Sequence, residues 1–389
     1  MKKICIVTAT RAEYGLLKPL IKKISRANNL ELQLVVTGMH LSAEFGLTYQ
    51  EIEEDGYPIK AKIEMLLSSD TPAGITKSMG VALIGFADYF SENQPDMVII
   101  LGDRYEMLAV ASSAMIARIP IAHIHGGELT EGAIDESIRH SITKMSHLHF
   151  TTTEEYRKRV IQLGEQPRTV FNVGALGIEN VKTAKLLNRK ELENSLNFHF
   201  TSQTILVTYH PVTLEEMTAK TQFEKILNVL SRHKEFSVIF TKANSDTDGR
   251  IINKMIDDYI KDNQDRCKAF TSLGQLRYLS TLQFCSVVVG NSSSGIIEVP
   301  SFGIPTVNIG DRQKGRISGK TVIHCGNGEQ EIENALNVAL SYKFKTEIKD
   351  AANPYEGENT SDKIIEVVTK SLEEGIDLKK KFYDLDVTK

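Results

Sequence analysis

Short apolar runs alternate with longer segments of helical spacing from the first residues of the chain onward. ICIVTA, LQLVVTG, DMVIILGD, IPIAHIHG, LHFTTT and TVFNVG are separated by stretches at 13–27, 71–93, 104–118, 134–146 and 153–163 whose apolar residues recur every three or four positions. This alternation predicts the strand–helix repeat of a doubly wound parallel sheet. Most runs are apolar throughout and stop abruptly at Gly, Thr, Asp or His, as strands do when both faces are buried and polar residues begin at the carboxyl edge. Ligands of open α/β sheets bind at that edge.

A second cycle follows the polar stretch Leu186–Asn197. TILVTYH, FSVIFTKAN, RCKAFTS, SVVVGNSS and IPTVNIG alternate with helical patterns near 213–232, 247–262, 273–283 and 293–300. The fold class is therefore α/β in two similar halves, with the boundary between 178 and 200 and a terminal helix expected over Thr360–Lys381. A cleft between the halves is the expected binding site. No repeat of solenoid period and no low-complexity tract interrupts the pattern.

The composition narrows the partners. With 389 residues, 41% of them apolar and 25% charged, the chain suits a soluble protein of two domains. Lys plus Arg (46) against Asp plus Glu (50) gives a net charge of −4, so no broad basic field draws nucleic acid or a membrane surface. A bound phosphate must be gripped locally. No run is long enough to span a bilayer, and the opening run is too short for a signal-peptide core, which points to the cytoplasm. Cys5, Cys267, Cys285 and Cys325 are far apart and form no CxxC pair, so buried free thiols are expected.

Candidate chemistry collects where runs end. VIILGDRYE places Asp103 and Arg104 after one strand, and IPIAHIHGGELTEGAIDESIRH supplies His123, His125, Glu128, Glu131, Asp135, Glu136, Arg139 and His140 after the next. Gly126 and Gly127 let the backbone turn sharply there. A helix starting near Ile134 puts Asp135 and Arg139 four apart on one face, a pair equally readable as a surface ion pair. HxH on a strand would point both rings to one face, but the further ligands of a zinc site are missing, so no metal is expected. In the second half, Gly290 ends a strand and Asn291, Ser292, Ser293, Ser294 and Gly295 open a short helix, an N-terminus suited to an anion or to simple serine capping. Glu298 follows one turn later, positioned for vicinal sugar hydroxyls. His210 in YHP and Arg312 and Arg316 in GDRQKGR complete a pyrophosphate and ribose cradle, while TATRAEYG brings Arg11 to the start of the first helix. Neither GxxxxGK[ST] nor GxGxxG is present.

Taken together, TATRAEYG, VVTGMHLS, LGDRYEMLAV, HIHGGELTEGAIDESIRHSITK, YHPVT and GNSSSGIIEVPSFGIPTVNIGDRQKGR resemble the hydrolysing UDP-N-acetylglucosamine 2-epimerases of bacterial sialic acid synthesis, in the same order over nearly the whole chain. The resemblance implies a GT-B fold of two Rossmann-like domains, 1–180 and 181–360, with 361–389 forming a helix that returns to the first. It implies a UDP-sugar substrate, UDP and N-acetylmannosamine as products, no cofactor, and a homodimer or homotetramer. By the same resemblance Arg11, His210, Ser292, Ser293, Glu298 and Arg312 hold UDP, with Ser294 and Gly295 in the same turn. Asp103 and Asp135 act on the sugar, and His40, Arg104 and Asn244 line the substrate. Many relatives carry HIEGGE where this chain has HIHGGE, so either His125 or Glu128 takes the remaining acid/base role. The rival readings are a hydrolysing epimerase of UDP-2,4-diacetamido-2,4,6-trideoxyglucose, a GT-B glycosyltransferase and a non-catalytic nucleotide-sugar-binding regulator.

Overall fold

The computed structural model describes residues 1–212 and 219–385. It divides into two compact units. The first contains Met1–Glu128, Asp135–Asn180 and the chain from Tyr355 on; the second contains Leu129–Ile134 and Val181–Pro354. Each is a doubly wound parallel sheet, as the alternation predicts.

The first sheet runs β3-β2-β1-β4-β5-β6-β7, all parallel, built from β1 (Lys2–Thr8), β2 (Leu30–Thr37), β3 (Ile59–Ile63), β4 (Met97–Leu101), β5 (Ile121–Ile124), β6 (Leu148–Thr151) and β7 (Val170–Asn172). Its central strand shows why the sequence reads as continuously apolar. Ile4 and Ile6 enter one core with Leu17, Leu20 and Ile21 of the helix Arg11–Ile24. Cys5 and Val7 enter the other with Phe86 and Phe90 of the helix Pro72–Asn93 and Val110 of the helix Tyr105–Ile116. Alternate side chains thus feed two helix layers, each fully buried aliphatic side chain contributing about 1.5–3 kcal/mol. The pattern passed over β3, whose sequence IKAKI exposes both lysines at the sheet edge.

The second sheet runs β10-β9-β8-β11-β12-β13, with β8 (Thr204–Thr208), β9 (Ser237–Thr241), β10 (Cys267–Phe270), β11 (Val287–Gly290), β12 (Thr306–Ile309) and β13 (Val322–Cys325). In both sheets the strand order therefore reverses between the first and fourth strands, β1/β4 and β8/β11, the place where open α/β sheets bind ligands at the carboxyl edge. The helix expected over 213–232 is observed as Ala219–Arg232, its first positions lying outside the described residues. That expected over 293–300 is a single turn, Ser294–Ile297, followed by a 3-10 turn, Val299–Phe302. Pro300 has no N–H with which to continue an α-helix.

The terminal helix, Thr360–Glu374, returns its apolar face to the first unit, where Ile364, Val368 and Leu372 join the core of β1 and the helix Arg11–Ile24. It stops at Glu374 rather than at 381, because Gly375 takes a positive φ of 85°. Beyond it the chain becomes a strap. Lys380 Nζ donates to the carbonyls of Lys144 (2.7 Å) and Ser146 (2.5 Å) and pairs with Glu165 at 2.8 Å, and the Tyr383 amide donates to the Gly164 carbonyl. Among the described residues no helix is long and apolar enough to cross a membrane. The four cysteines are free, three of them buried.

Glu165 is the electrostatic anchor of this strap. Burial would raise its pKa, but hydrogen bonds from His149, Lys144 and Lys380 outweigh that and hold it at about 2. A depressed carboxylate stabilises the fold above its unfolded pKa, and the contribution, up to about 3 kcal/mol, is lost as pH falls from roughly 4.5 toward 2. Glu165→Gln should therefore unfold at lower urea than the parent at pH 7, with the two curves drawing together below about pH 4.5 and converging only near pH 2. Curves that stay a constant distance apart across that range would exclude the linkage.

Candidate active site

At the β1/β4 switch point the loops are built around buried charge. Thr10 caps the helix Arg11–Ile24 and Glu13 closes the capping box, its Oε2 accepting from the amides of Ala9 (2.7 Å) and Thr10 (3.1 Å). This fixes Arg11 at the first helical position, half-buried at the sheet edge. After β4, Asp103 and Arg104 follow Gly102. Arg104 forks onto Glu106, with Nε–Oε2 at 3.1 Å and Nη2–Oε1 at 3.0 Å.

Arg139 is the centre of this region. It projects from the helix Asp135–Met145, has no exposed surface, and donates to the carboxylates of Asp103 and Glu136 and to the carbonyl of Glu128 at 2.6 Å. Burial alone would lower its pKa, but Asp103, Glu128 and Glu136 outweigh that and raise it above the ordinary arginine value. Asp103 and Glu136 keep 22% of their side-chain surface exposed, so the cation is sealed while its two anions still face solvent. The surface-ion-pair reading of Arg139 is thereby overturned. Asp135 opens the same helix, where a carboxylate is favoured by the helix dipole.

His123 and His125 diverge instead of sharing a face. β5 ends at Ile124, and His125 adopts a positive φ of 68°, outside the strand. For a residue with a Cβ that conformation costs about 1 kcal/mol, a strain characteristic of functional turns. Its Nδ1 lies 3.3 Å from Glu128 Oε1, which also accepts from Thr152 Oγ1 at 3.0 Å. The two alternatives left by the sequence therefore stand as one buried pair, tied to Asp103 through Arg139. Gly127 permits the turn between them, since a Cβ there would sit 2.5 Å from the Tyr156 carbonyl. His123 bridges the Gly102 carbonyl (Nε2, 2.7 Å) and Thr143 (Nδ1, 3.1 Å), and burial lowers its pKa to about 3. It holds the turn that carries Asp103 and stays neutral. His40 is also neutral, at about 3 through burial, with both ring nitrogens on threonine hydroxyls: Nε2 to Thr8 and Nδ1 to Thr48. Among the described residues no group of three or more His, Cys, Asp or Glu is arranged around a metal position.

At the β8/β11 switch point the chains come closer still. Gly290 pairs with Thr208, and with φ at 140° any Cβ would collide with the Thr208 carbonyl. Asn291, Ser292 and Ser293 follow. The amides of Gly295 and Ile296 already close short turns onto Ser292 and Ser293, so this one-turn helix offers little dipole, and an anion would be gripped chiefly by hydroxyls and side chains. Ser292 and Ser293 are half-buried. Ser294 Oγ is 2.6 Å from Tyr278 OH, and Gly295 presses against Thr306, which bonds its carbonyl at 2.7 Å. Glu298 and His210 are buried beside this turn. Arg312 donates to the Asn291 carbonyl at 3.1 Å, whereas Arg316 is buried on the Leu129 carbonyl and pins the short 129–134 segment to its own unit. Asn244 follows β9, its neighbour Ala243 bracketed by Asn253 at 2.7 and 3.2 Å.

Comparison with known proteins adds identity to geometry. The family model described as UDP-N-acetylglucosamine 2-epimerase matches residues 22–369. The chain is 45% identical, over 99% of both sequences, to a Campylobacter jejuni protein named GDP/UDP-N,N'-diacetylbacillosamine 2-epimerase (hydrolyzing). It is 40% identical to the polysialic acid biosynthesis protein P7 of Escherichia coli, over 99% of this chain and 98% of that one. Its fold matches the UDP-GlcNAc 2-epimerase of Neisseria meningitidis crystallised with UDP-GlcNAc, with a TM-score of 0.79 at 19% identity over 95% of this chain and 100% of the other.

Replacing Arg139 by Met should cost about 3 kcal/mol of unfolding free energy, because Asp103 and Glu136 lose their shared cation. Arg139→Lys, which keeps the charge but not the fork, should recover only part of it. Urea titration checks both, and an unchanged midpoint in the Met variant would refute the assignment.

Proposed function

The chain belongs to the UDP-N-acetylglucosamine 2-epimerase family and is a hydrolysing UDP-sugar 2-epimerase; from this premise we propose a division of labour between its two switch points. Asp103, Asp135 and the His125–Glu128 pair act on the sugar, with Arg104 beside them, and Arg11, His210, Ser292, Ser293, Glu298 and Arg312 hold UDP. Glu298 receives the ribose hydroxyls, and Ser292, Ser293 and Arg312 receive the diphosphate. The supporting observation is that acid/base groups gather on Arg139 at one switch point while serine hydroxyls and Arg312 gather at the other.

The chemistry requires both. The C2 proton of a 2-acetamido sugar lies beside no carbonyl, so C1–O cleavage must acidify it. As UDP leaves with the bonding electron pair, the arginines and hydroxyls stabilise the charge growing on the diphosphate, and one preorganised donor of this kind is worth about 3 kcal/mol. A carboxylate then takes the C2 proton to give a 2-acetamidoglycal. A second group returns a proton to the opposite face of C2, and water adds at C1. The products are UDP and the free C2-inverted sugar.

For the substrate we propose UDP-2,4-diacetamido-2,4,6-trideoxyglucose, the sugar nucleotide of N,N'-diacetylbacillosamine, on the strength of the Campylobacter jejuni relative. UDP-N-acetylglucosamine, giving N-acetylmannosamine for sialic acid, is the second reading, supported by the family description and the polysialic acid relative. A cytoplasmic homodimer or homotetramer without a cofactor completes the proposal.

Offering each UDP-sugar separately and identifying the free sugar by NMR decides between the two substrates. In deuterated water the product should carry deuterium at C2; its absence would defeat the elimination route. Asp103→Asn should reduce kcat by about a hundredfold or more while leaving UDP affinity within about twofold. Arg312→Ala should instead weaken UDP binding about tenfold, measured by calorimetry.

A further inference from the structure

We propose that Asn291 is the positioning residue of the diphosphate cradle, acting through His210 and Arg312 without touching the ligand; this rests on the reading of that cradle as the UDP site. Asn291 is fully buried directly after β11. Its side chain spans the gap to the end of β8, where Oδ1 accepts from the His210 amide at 2.7 Å and Nδ2 donates to the His210 carbonyl at 2.8 Å. One carboxamide therefore satisfies both backbone polar groups of one residue. A neighbouring strand would ordinarily do this, but the β8/β11 pairing has ended at Thr208 and Gly290.

The Asn291 peptide is used as fully as its side chain. Its N–H donates to the Thr208 carbonyl at 3.1 Å, and its carbonyl accepts from Arg312 Nη1 at 3.1 Å and Gln313 Nε2 at 2.9 Å. The loops after β8, β11 and β12 thus converge on a single residue. Serine is too short to reach both polar atoms of His210, and aspartate would set an oxygen against the His210 carbonyl. With Nη1 committed to Asn291, the planar guanidinium of Arg312 is oriented before any anion arrives, so less freedom is lost on binding.

The discriminating measurement compares UDP with uridine on the full-length protein by calorimetry, since uridine has the base and ribose but no phosphate. Asn291→Ala should weaken UDP binding by about tenfold or more, the effect of one misplaced charge-assisted contact, and leave uridine affinity within about twofold. Gln313→Ala removes one donor to the Asn291 carbonyl and spares the His210 bridge, so it should weaken UDP about threefold with uridine again unchanged. Unaltered UDP affinity in Asn291→Ala overturns the proposal, and so does a parallel loss of UDP and uridine, which marks general structural damage. Should Asn291→Ala not fold, Gln313→Ala decides alone by the same criterion. A parent protein that fails to bind UDP would count against the proposed function instead.

Discussion

A parallel strand buried on both faces admits a polar side chain along its length only where the core supplies it a partner, as for His123 and His149, so polar chemistry collects at the point where the strand ends and its neighbours turn away. In both units the constellations lie at that edge, at the strands where the order reverses and, in the first unit, at the neighbouring β5 as well. The constraint also accounts for the glycines: the backbone must clear Thr208 at Gly290 and Tyr156 at Gly127 before a functional loop can begin.

The two constellations solve different electrostatic problems. Around Arg139 a sealed cation gathers carboxylates that still meet solvent, and the buried histidines of this sheet edge are sorted by their partners. His40 and His123 are kept neutral in hydrogen-bonded pockets, while His125 is turned out of β5 onto Glu128. Around Asn291 the order comes from an uncharged carboxamide and peptide group, whose carbonyl also holds the cationic Arg312 toward the diphosphate proposed there. A rigid neutral frame suits a leaving group whose charge changes during reaction, because fixed donors need no reorganisation as it departs.

The alternation of apolar runs disclosed both sheets and most of their strands, because continuous burial leaves a continuous apolar signature. It missed the edge strands β3, where exposure lets lysines in, and β13, which is only partly buried, and it ran the last helix past Gly375, since a charged strap and a charged helix look alike in composition. The candidate site residues are legible as polar groups after strands, and the Thr10–Glu13 capping box is visible as T-x-x-E. Arg139 reads from sequence as one charged residue of the run after β5 and as half of a pair with Asp135, since nothing local distinguishes an exposed arginine from one sealed among distant carboxylates. Asn291 was read as one small polar residue among serines. Its bond to His210 joins positions 81 apart in sequence, beyond the reach of any periodicity.

The first unit is assembled from three stretches of chain, and the last of them is needed for its interior: Ile364, Val368 and Leu372 pack with Ile4, Ile6 and Leu17. During synthesis the earliest strands therefore emerge more than three hundred residues before their final covering helix. The second unit lies almost wholly between them, is complete by Pro354, and has a core of its own. On the ribosome the order of maturation is thus inverted, with the later-encoded lobe finishing first and the amino-terminal one waiting, partly uncapped, for the helix Thr360–Glu374.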